Sequence, residues 1–360
     1  MSSNLLLAGY FGCGNLGDDA ILMGLTEGLE REDVELTMLS GAPEESFRNY
    51  GIPSIARRDT RQLQSAIERC DLLVFPGGSV FQDVTSVRSP AYYADLVRRA
   101  KKAKKKVVLL SQGVGPLKSF FGRRAAVYAF NAADAAVVRD PDSAALLKEI
   151  GVRSPVRLGA DLSFLMKPRL ASEMGEFKVG GMKTVGIAPR PYGRHAKAIT
   201  KLFGDLARRL FEANFMPVLI EMDRHEDGPL IYDISKQQGG KVPDIRKLDT
   251  PMQVQQRMSR MEAVIAMRLH AGILAANVFV PPFMVSYDPK VTAFAKMLEL
   301  HQAVSIEGLK ADRLFESFMA FMRDRERNLK VLERRQAHLV KLAQVNIDTL
   351  KAFLKSPASA

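Results

Sequence analysis

At 360 residues the chain can carry about two domains with separate hydrophobic cores. Its 47% apolar and 26% charged composition is globular and excludes a fibre, a disordered tail or a disulfide mini-scaffold. Lys and Arg outnumber Asp and Glu by 52 to 40, so the +12 charge favours anionic company, yet eight Tyr, no Trp and no helix-turn-helix or zinc-finger spacing argue against nucleic acid.

The chain opens without a basic n-region, and its first apolar stretch breaks at Gly9, too early for a signal peptide. Short apolar runs then alternate with amphipathic ones. Strands are predicted over 5–9, 34–39, 72–75, 107–110 and 135–138, and helices over 19–30, 61–68, 92–103 and 123–132. This is the pattern of a doubly wound α/β domain, in which ligands sit beyond the carboxyl ends of the strands. The basic run Lys101-Lys102-Ala103-Lys104-Lys105-Lys106 reads as a solvated helix end, with attraction to anionic lipid as the alternative.

Residues 166–183, with Pro168, Gly175, Gly180 and Gly181, read as a linker. A second α/β series follows, with strands predicted over 185–188, 216–220, 263–266 and 282–285, then a charged helical stretch over 311–354. The expected organisation is a Rossmann-like domain over 1–165, the linker 166–183, a second Rossmann-like domain over 184–310 and a helical segment over 311–360. Two such halves are expected to face each other across a ligand-holding cleft. No apolar run approaches the roughly 18 residues of a membrane span. Cys13 and Cys70 form no C-x-x-C pair and no metal-binding cluster. A cytoplasmic protein, able to lie against the inner face of the membrane, is expected, with no metal and no cofactor; the oligomeric state is left open.

The loops after the strands carry the chemistry. Gly12-Cys13-Gly14-Asn15-Leu16-Gly17 matches G-x-G-x-x-G, but Asp18 and Asp19 follow where a pyrophosphate needs positive potential, which argues against a dinucleotide. Two readings stand side by side: a tight corner with Asp18 capping the helix, or Asn15 and Asp18 holding sugar hydroxyls. Next come Pro76-Gly77-Gly78-Ser79-Val80-Phe81-Gln82-Asp83-Val84-Thr85-Ser86, Ser111-Gln112-Gly113-Val114-Gly115-Pro116 and Arg139-Asp140-Pro141-Asp142-Ser143. The paired glycines allow close backbone approach, and Gln82, Asp83, Thr85 and Ser86 supply hydrogen bonds. Asp140 and Ser143 read as helix caps, whereas Arg139 projects from a strand end where an anion could be received. In the second half, Arg190, Arg194 and His195 follow one strand, Arg268 and His270 the next turn, and Lys290 the strand after that. Cations beside an imidazole suggest an anion site with a proton-transfer group.

These motifs, in this order, resemble the polysaccharide pyruvyl transferase family and its CsaB-like branch. The matching residues are Gly14-Asn15-Leu16-Gly17-Asp18, Gly77-Gly78-Ser79 through Ser86, Gln112-Gly113-Val114-Gly115-Pro116, Arg139-Asp140 with Ser143, Arg268-Leu269-His270-Ala271 and Ser286-Tyr287-Asp288-Pro289-Lys290. Ser79 and Asp19 depart from the family's more frequent Gly and Glu. The resemblance implies a GT-B-like fold and phosphoenolpyruvate as donor. It also implies a lipid-linked ManNAc-GlcNAc acceptor and a pyruvate ketal as product. It assigns Arg268, Leu269 and His270 to donor binding and catalysis, and extends less directly to Lys290 and Arg139.

A donor with nearly three negative charges needs fixed cations, and Arg139, Arg190, Arg268 and Lys290 are the candidates. His270 is expected to move protons at neutral pH. Asn15, Asp18, Gly77, Gly78, Ser79, Gln82 and Asp83 are expected on the acceptor side, and Cys13 is expected to be blunted by its aspartate neighbours. The rival readings are a nucleotide-sugar glycosyltransferase of the same architecture and a non-catalytic glycan-binding module.

Overall fold

The structure is a computed structural model that describes residues 2–84, 88–171, 181–193 and 196–355. Thr85, Ser86, Arg194, His195 and residues 172–180 of the expected linker lie outside the described residues. The chain forms two compact units. One comprises Met1–Cys13, Asp18–Met166 and Leu339–Ala360, the other Gly14–Gly17 and Lys167–His338.

The first unit is built from β1 (Ser3–Phe11), α1 (Leu16–Gly28), β2 (Val34–Ser40), α2 (Pro43–Tyr50), β3 (Ser54–Ala56), α3 (Thr60–Arg69), β4 (Leu72–Phe75), β5 (Gly78–Phe81), α4 (Arg88–Lys102), β6 (Lys106–Val114), α5 (Phe120–Ala132), β7 (Ala135–Val138), α6 (Pro141–Glu149) and β8 (Arg157–Leu158). The strands run parallel in the order β3-β2-β1-β4-β6-β7-β8, with β5 pairing alongside β6. The winding reverses between β1 and β4, so their carboxyl ends open the crevice in which such sheets bind ligands. Strand β1 shows why its sequence is almost wholly apolar. Leu5 and Leu7 enter a core with Leu22, Leu25 and Ile347, while Leu6 and Ala8 enter the opposite one with Phe75, Tyr93 and Val97. The helices start on side-chain caps: Asp59 for α3, Ser119 for α5 and Asp140, followed by Pro141, for α6.

Two stretches read as loops are strand. Ser111, Gln112 and Gly113 extend β6 well past the predicted 107–110, and Gly78–Phe81 is β5. Ser111 and Gln112 are buried within β6, where Ser111 Oγ accepts from the Leu162 N–H at 3.0 Å. Ser111 N–H donates to Asn346 Oδ1 at 2.7 Å, and Gln112 Nε2 donates to the Leu110 and Phe75 carbonyls at 2.8 and 3.2 Å.

The second unit is built from β9 (Lys183–Ala188), α7 (Ala196–Glu212), β10 (Phe215–Ile220), α8 (Asp227–Gln237), β11 (Asp244–Ile245), α9 (Pro251–Met258), β12 (Ala263–Ala266), α10 (Leu269–Asn277), β13 (Pro282–Ser286), α11 (Pro289–Leu298), β14 (Val304–Ser305), α12 (Ala311–Arg323) and α13 (Arg325–Lys351). Its sheet, β11-β10-β9-β12-β13-β14, is also parallel and reverses its winding between β9 and β12. The near end of the expected linker is part of this unit: Arg169 N–H donates to Gln255 and Ala171 N–H to Ser259.

The C-terminal stretch, expected over 311–360 as a segment of its own, is two helices shared by the units. Helix α12 and α13 as far as His338 belong to the second, and Leu339 onward to the first. There Ile347 and Leu350 fill core, and Lys355 N–H donates to Ser3 Oγ at 2.8 Å. Asn346 is fully buried and, besides accepting from Ser111, donates to the Ala160 and Ala343 carbonyls at 3.0 and 2.9 Å. Asn346→Ala leaves the Ser111 N–H and Ala160 C=O unsatisfied at about 1–3 kcal/mol each. Urea unfolding is expected to show a loss of about 2–4 kcal/mol, and a loss below 1 would contradict this assignment.

Candidate active site

At the carboxyl edge of the second unit, four strand ends converge on one charged cluster. Arg268 sits at the N-cap of α10 with extended backbone, so its side chain leaves the helix start toward the β10–α8 loop. Its Nε donates to both Asp227 oxygens at 3.1 Å, and its Nη2 donates to Asp227 Oδ1 and, at 2.9 Å, to Glu226 Oε2. Asp223 Oδ2 lies 3.9 Å away. Asp227 is fully buried at the start of α8 and also accepts from the Met222 and Asp223 N–H groups at 3.1 and 2.9 Å. Burial opposes the charge on Arg268, but Asp227, Asp223 and Glu226 outweigh it and push its pKa up.

Glu226 is shared. Its Oε2 also lies 3.2 Å from Arg190 Nη2, just beyond β9. Arg190 stacks on the Tyr287 ring, 4.9 Å from its centroid, and donates to the Tyr287 hydroxyl. Burial raises the Glu226 pKa, while Arg190, Arg268 and Lys290 hold the carboxyl below its usual range. Lys290 Nζ is 4.0 Å from Asp288, which caps α11. His270, in the first turn of α10, lies against the backbone of Gly17. A Cβ at Gly17 would fall 2.3 Å from His270 Nδ1, so only glycine permits this approach. The loop carrying Gly17 is fixed to this unit: Leu16 N–H donates to Met222 O, Arg224 N–H donates to Gly14 O, and Asn15 bridges Asp223. Asn15 Oδ1 accepts from Gly17 N–H at 3.0 Å, which makes Asn15, rather than Asp18, the cap. Leu269 is buried and supplies no polar group.

The first unit gathers its predicted residues differently. Asp18, Gly77 and Gly78 do meet at the edge: a Cβ at Gly78 would fall 2.9 Å from Asp18 Oδ1. Arg139, expected to receive an anion, is buried, with Nη1 on Asp161 at 2.9 Å and Nη2 on Ser79 Oγ at 2.8 Å. Arg139 and Ser79 therefore hold the strand ends together. Asp83, expected to bind acceptor, instead accepts from the Lys118 and Ser119 N–H groups and the Ser119 hydroxyl at 2.6–2.8 Å. Gln82 accepts from Val84 N–H at 2.9 Å. Asp140 and Ser143 form the expected helix start, Ser143 N–H donating to Asp140 at 2.7 Å.

The sequence reading missed two features. One is the acidic run Glu221, Asp223, Glu226 and Asp227 after β10, visible as four carboxylates within seven residues. The other is Arg57, beyond β3, within 5.1–6.0 Å of the ring centroids of Tyr10, Tyr92 and Tyr93 and donating to Cys13 Sγ at 3.4 Å. No local pattern marks it. Burial, with Asp18 and Asp19, pushes the Cys13 thiol up despite Arg57. Among the described residues no group of three or more His, Cys, Asp and Glu side chains is placed to hold a metal ion.

Asp19 is buried, accepts from the Tyr50 hydroxyl at 3.0 Å, and is pushed up to about 7, chiefly by burial. Between its ordinary 3.8 and about 7 the fold retains a proton that the unfolded chain releases, so this contribution to stability is lost as pH rises through that window. Asp19→Asn is expected to flatten that part of the stability–pH curve; an unchanged slope would refute the assignment. In urea unfolding, Arg268→Gln is expected to cost about 3–5 kcal/mol by stranding Asp227, with part recovered by adding Asp227→Asn.

The polysaccharide pyruvyl transferase family model matches residues 15–289. The amylovoran biosynthesis protein AmsJ of Erwinia amylovora is 22% identical over 370 residues, covering 84% of this chain and 87% of AmsJ. Among solved structures, the UDP-GlcNAc 2-epimerase of Neisseria meningitidis bound to UDP-GlcNAc aligns with a TM-score of 0.64 at 11% identity, covering 98% of this chain and 100% of that one. A glycosyltransferase from Rickettsia africae aligns with a TM-score of 0.63 at 10% identity, covering 98% and 97%. The fold is thus GT-B-like, with two Rossmann-like domains.

Proposed function

The chain belongs to the polysaccharide pyruvyl transferase family, and from that premise we propose that phosphoenolpyruvate is the donor and a lipid-linked saccharide precursor the acceptor. The enzyme is a transferase of pyruvyl groups in polysaccharide formation. The ManNAc-GlcNAc disaccharide is the acceptor this reading names, and release of phosphate with formation of a pyruvate ketal is the reaction.

The observation that supports this reading is one carboxylate, Glu226, held by guanidinium groups from two strand ends, with His270 two residues after Arg268 on the same helix start. A bound donor offers a carboxylate and a phosphate to the same cations, so it competes with Glu226 for Arg190 and Arg268. Arg268 keeps Asp227 as its buried partner and positions the turn, while Arg190 and Lys290 are the cations with more freedom to turn toward an anion. Arg139, bound within the first unit to Asp161 and Ser79, is not one of the cations this reading relies on.

In the proposed chemistry the His270 imidazolium gives a proton to the donor's methylene carbon, and C2 gains oxocarbenium character. An acceptor hydroxyl adds there and its proton returns to a base. The C–O bond to phosphate breaks, and a second hydroxyl adds to close the ketal. Two hydroxyl protons enter the sequence; one ends on the new methyl group and the other leaves with phosphate. On the acceptor side the reading keeps Asn15, Asp18, Gly77, Gly78 and Gln82, with Asp83 and Ser79 shaping the edge through their bonds to Ser119 and Arg139. No helix among the described residues is long and apolar enough to cross a membrane.

Phosphate release from phosphoenolpyruvate, dependent on a β-ManNAc-GlcNAc acceptor, tests the reading. His270→Asn is expected to lower kcat by about 10²–10⁴ with melting unchanged. A thermal shift with UDP-GlcNAc and none with phosphoenolpyruvate would favour the nucleotide-sugar alternative, and acceptor binding without donor consumption would favour the glycan-binding module.

A further inference from the structure

We propose that the start of α5 docks the first unit on an anionic lipid bilayer, with Phe120 and Phe121 entering the acyl boundary and Lys118 and Arg124 meeting lipid phosphates. Phe120 and Phe121 are 65% and 78% exposed, and Val84 is 58% exposed. The Asp83 carboxylate ties the Val84 segment to the α5 start through Lys118 N–H and Ser119, so these apolar groups are held together. The opposite face of α5 is spent on the core through Gly122, Ala126, Ala129 and Phe130. The outward face continues with Arg124, whose guanidinium lies 5.4 Å from the Phe120 ring centroid, and with Tyr128, 42% exposed one turn further on. Adjacent exposed aromatics rimmed by cations, with a tyrosine at the depth of the headgroups, form an interfacial pattern.

Charge selects the occupant. From Ser111 to Ala133 the sequence contains no Asp or Glu, and the Asp83 carboxylate that reaches the α5 start from outside this stretch is taken up by the Lys118 and Ser119 N–H groups and the Ser119 hydroxyl. Arg123 is partly committed to the Leu117 carbonyl and lies 3.9 Å from Glu149, which leaves Lys118 and Arg124 as the lipid-facing cations. The lysine-rich stretch around Lys101 is at the other end of β6. Lys101 and Lys106 are bound there to Asp134 at 2.8 and 3.1 Å, as a solvated helix end would be. The α5 patch follows the carboxyl end of β6, the edge that carries Gly77, Gly78 and Asp18, so a sugar whose lipid stays in the membrane meets the edge it needs.

Sedimentation of the full chain with phosphatidylcholine vesicles, with and without phosphatidylglycerol, tests the proposal without any substrate, so its outcome is independent of the donor reading. Salt-sensitive binding is expected only with the anionic lipid. Phe120→Ser with Phe121→Ser, and Lys118→Gln with Arg124→Gln, are each expected to lower the bound fraction about tenfold or more. Melting, and turnover of a water-soluble acceptor, are expected to stay unchanged. No binding to anionic vesicles, or equal binding by both double variants, overturns the proposal. So does a wild-type dimer that Phe120→Ser with Phe121→Ser dissociates, which would assign the face to a second copy of the chain.

Discussion

The buried ion pair between Arg268 and Asp227 governs the carboxyl edge of the second unit's sheet. In the sheet order β10-β9-β12 it joins the chain after β10 to the chain after β12, above the end of β9. Neither charge tolerates the interior alone, so each dictates the other's conformation. Glu226 is carried next to Asp227 on the same turn, His270 follows Arg268 by two residues, and Arg190 arrives from the strand between. Their proximity is a by-product of settling one buried charge.

The first unit solves a similar problem with Arg139, Asp161 and Ser79. Arg139 stands directly after β7 and Arg268 two residues after the end of β12, and both invite the same reading as open anion receivers. Arg139 instead meets Asp161 and Ser79 within its own unit. Arg268 also has internal partners, but one of them, Glu226, is half-exposed and shared with Arg190. Arg139 is thus held within its own unit, whereas Arg268 shares a half-exposed partner with a second guanidinium.

The central strands were legible because strands buried on both faces read as continuous apolar runs; β4, β7 and β12 have the predicted bounds. Polar residues inside strands were illegible. Ser111 and Gln112 resemble a loop until Asn346, 235 residues away from Ser111 in the chain, supplies the missing partner. His270, Arg268 and Lys290 could be picked out because strand-to-helix turns are recognisable and the motif order resembles a family. The Glu226 and Asp227 carboxylates belong to an acidic run that the sequence displays, but their role depends on a pairing with Arg268, 42 and 41 residues distant, which the run does not disclose. Asp83 and Arg57 were opaque for the same reason: their partners are distant in sequence and carry no periodicity.

The passage of α13 from one unit to the other sets an order of assembly. Ile347 and Leu350 belong to the core beside β1, and Asn346 satisfies β6, yet all three leave the ribosome after the whole second unit has been made. The first-made half must wait with that core uncapped until Asn346, Ile347 and Leu350 emerge, whereas the later half already possesses its own core residues through Phe321. Vectorial synthesis therefore favours completion of the younger unit before the older one, and a nascent chain stalled short of Asn346 exposes apolar surface to chaperones.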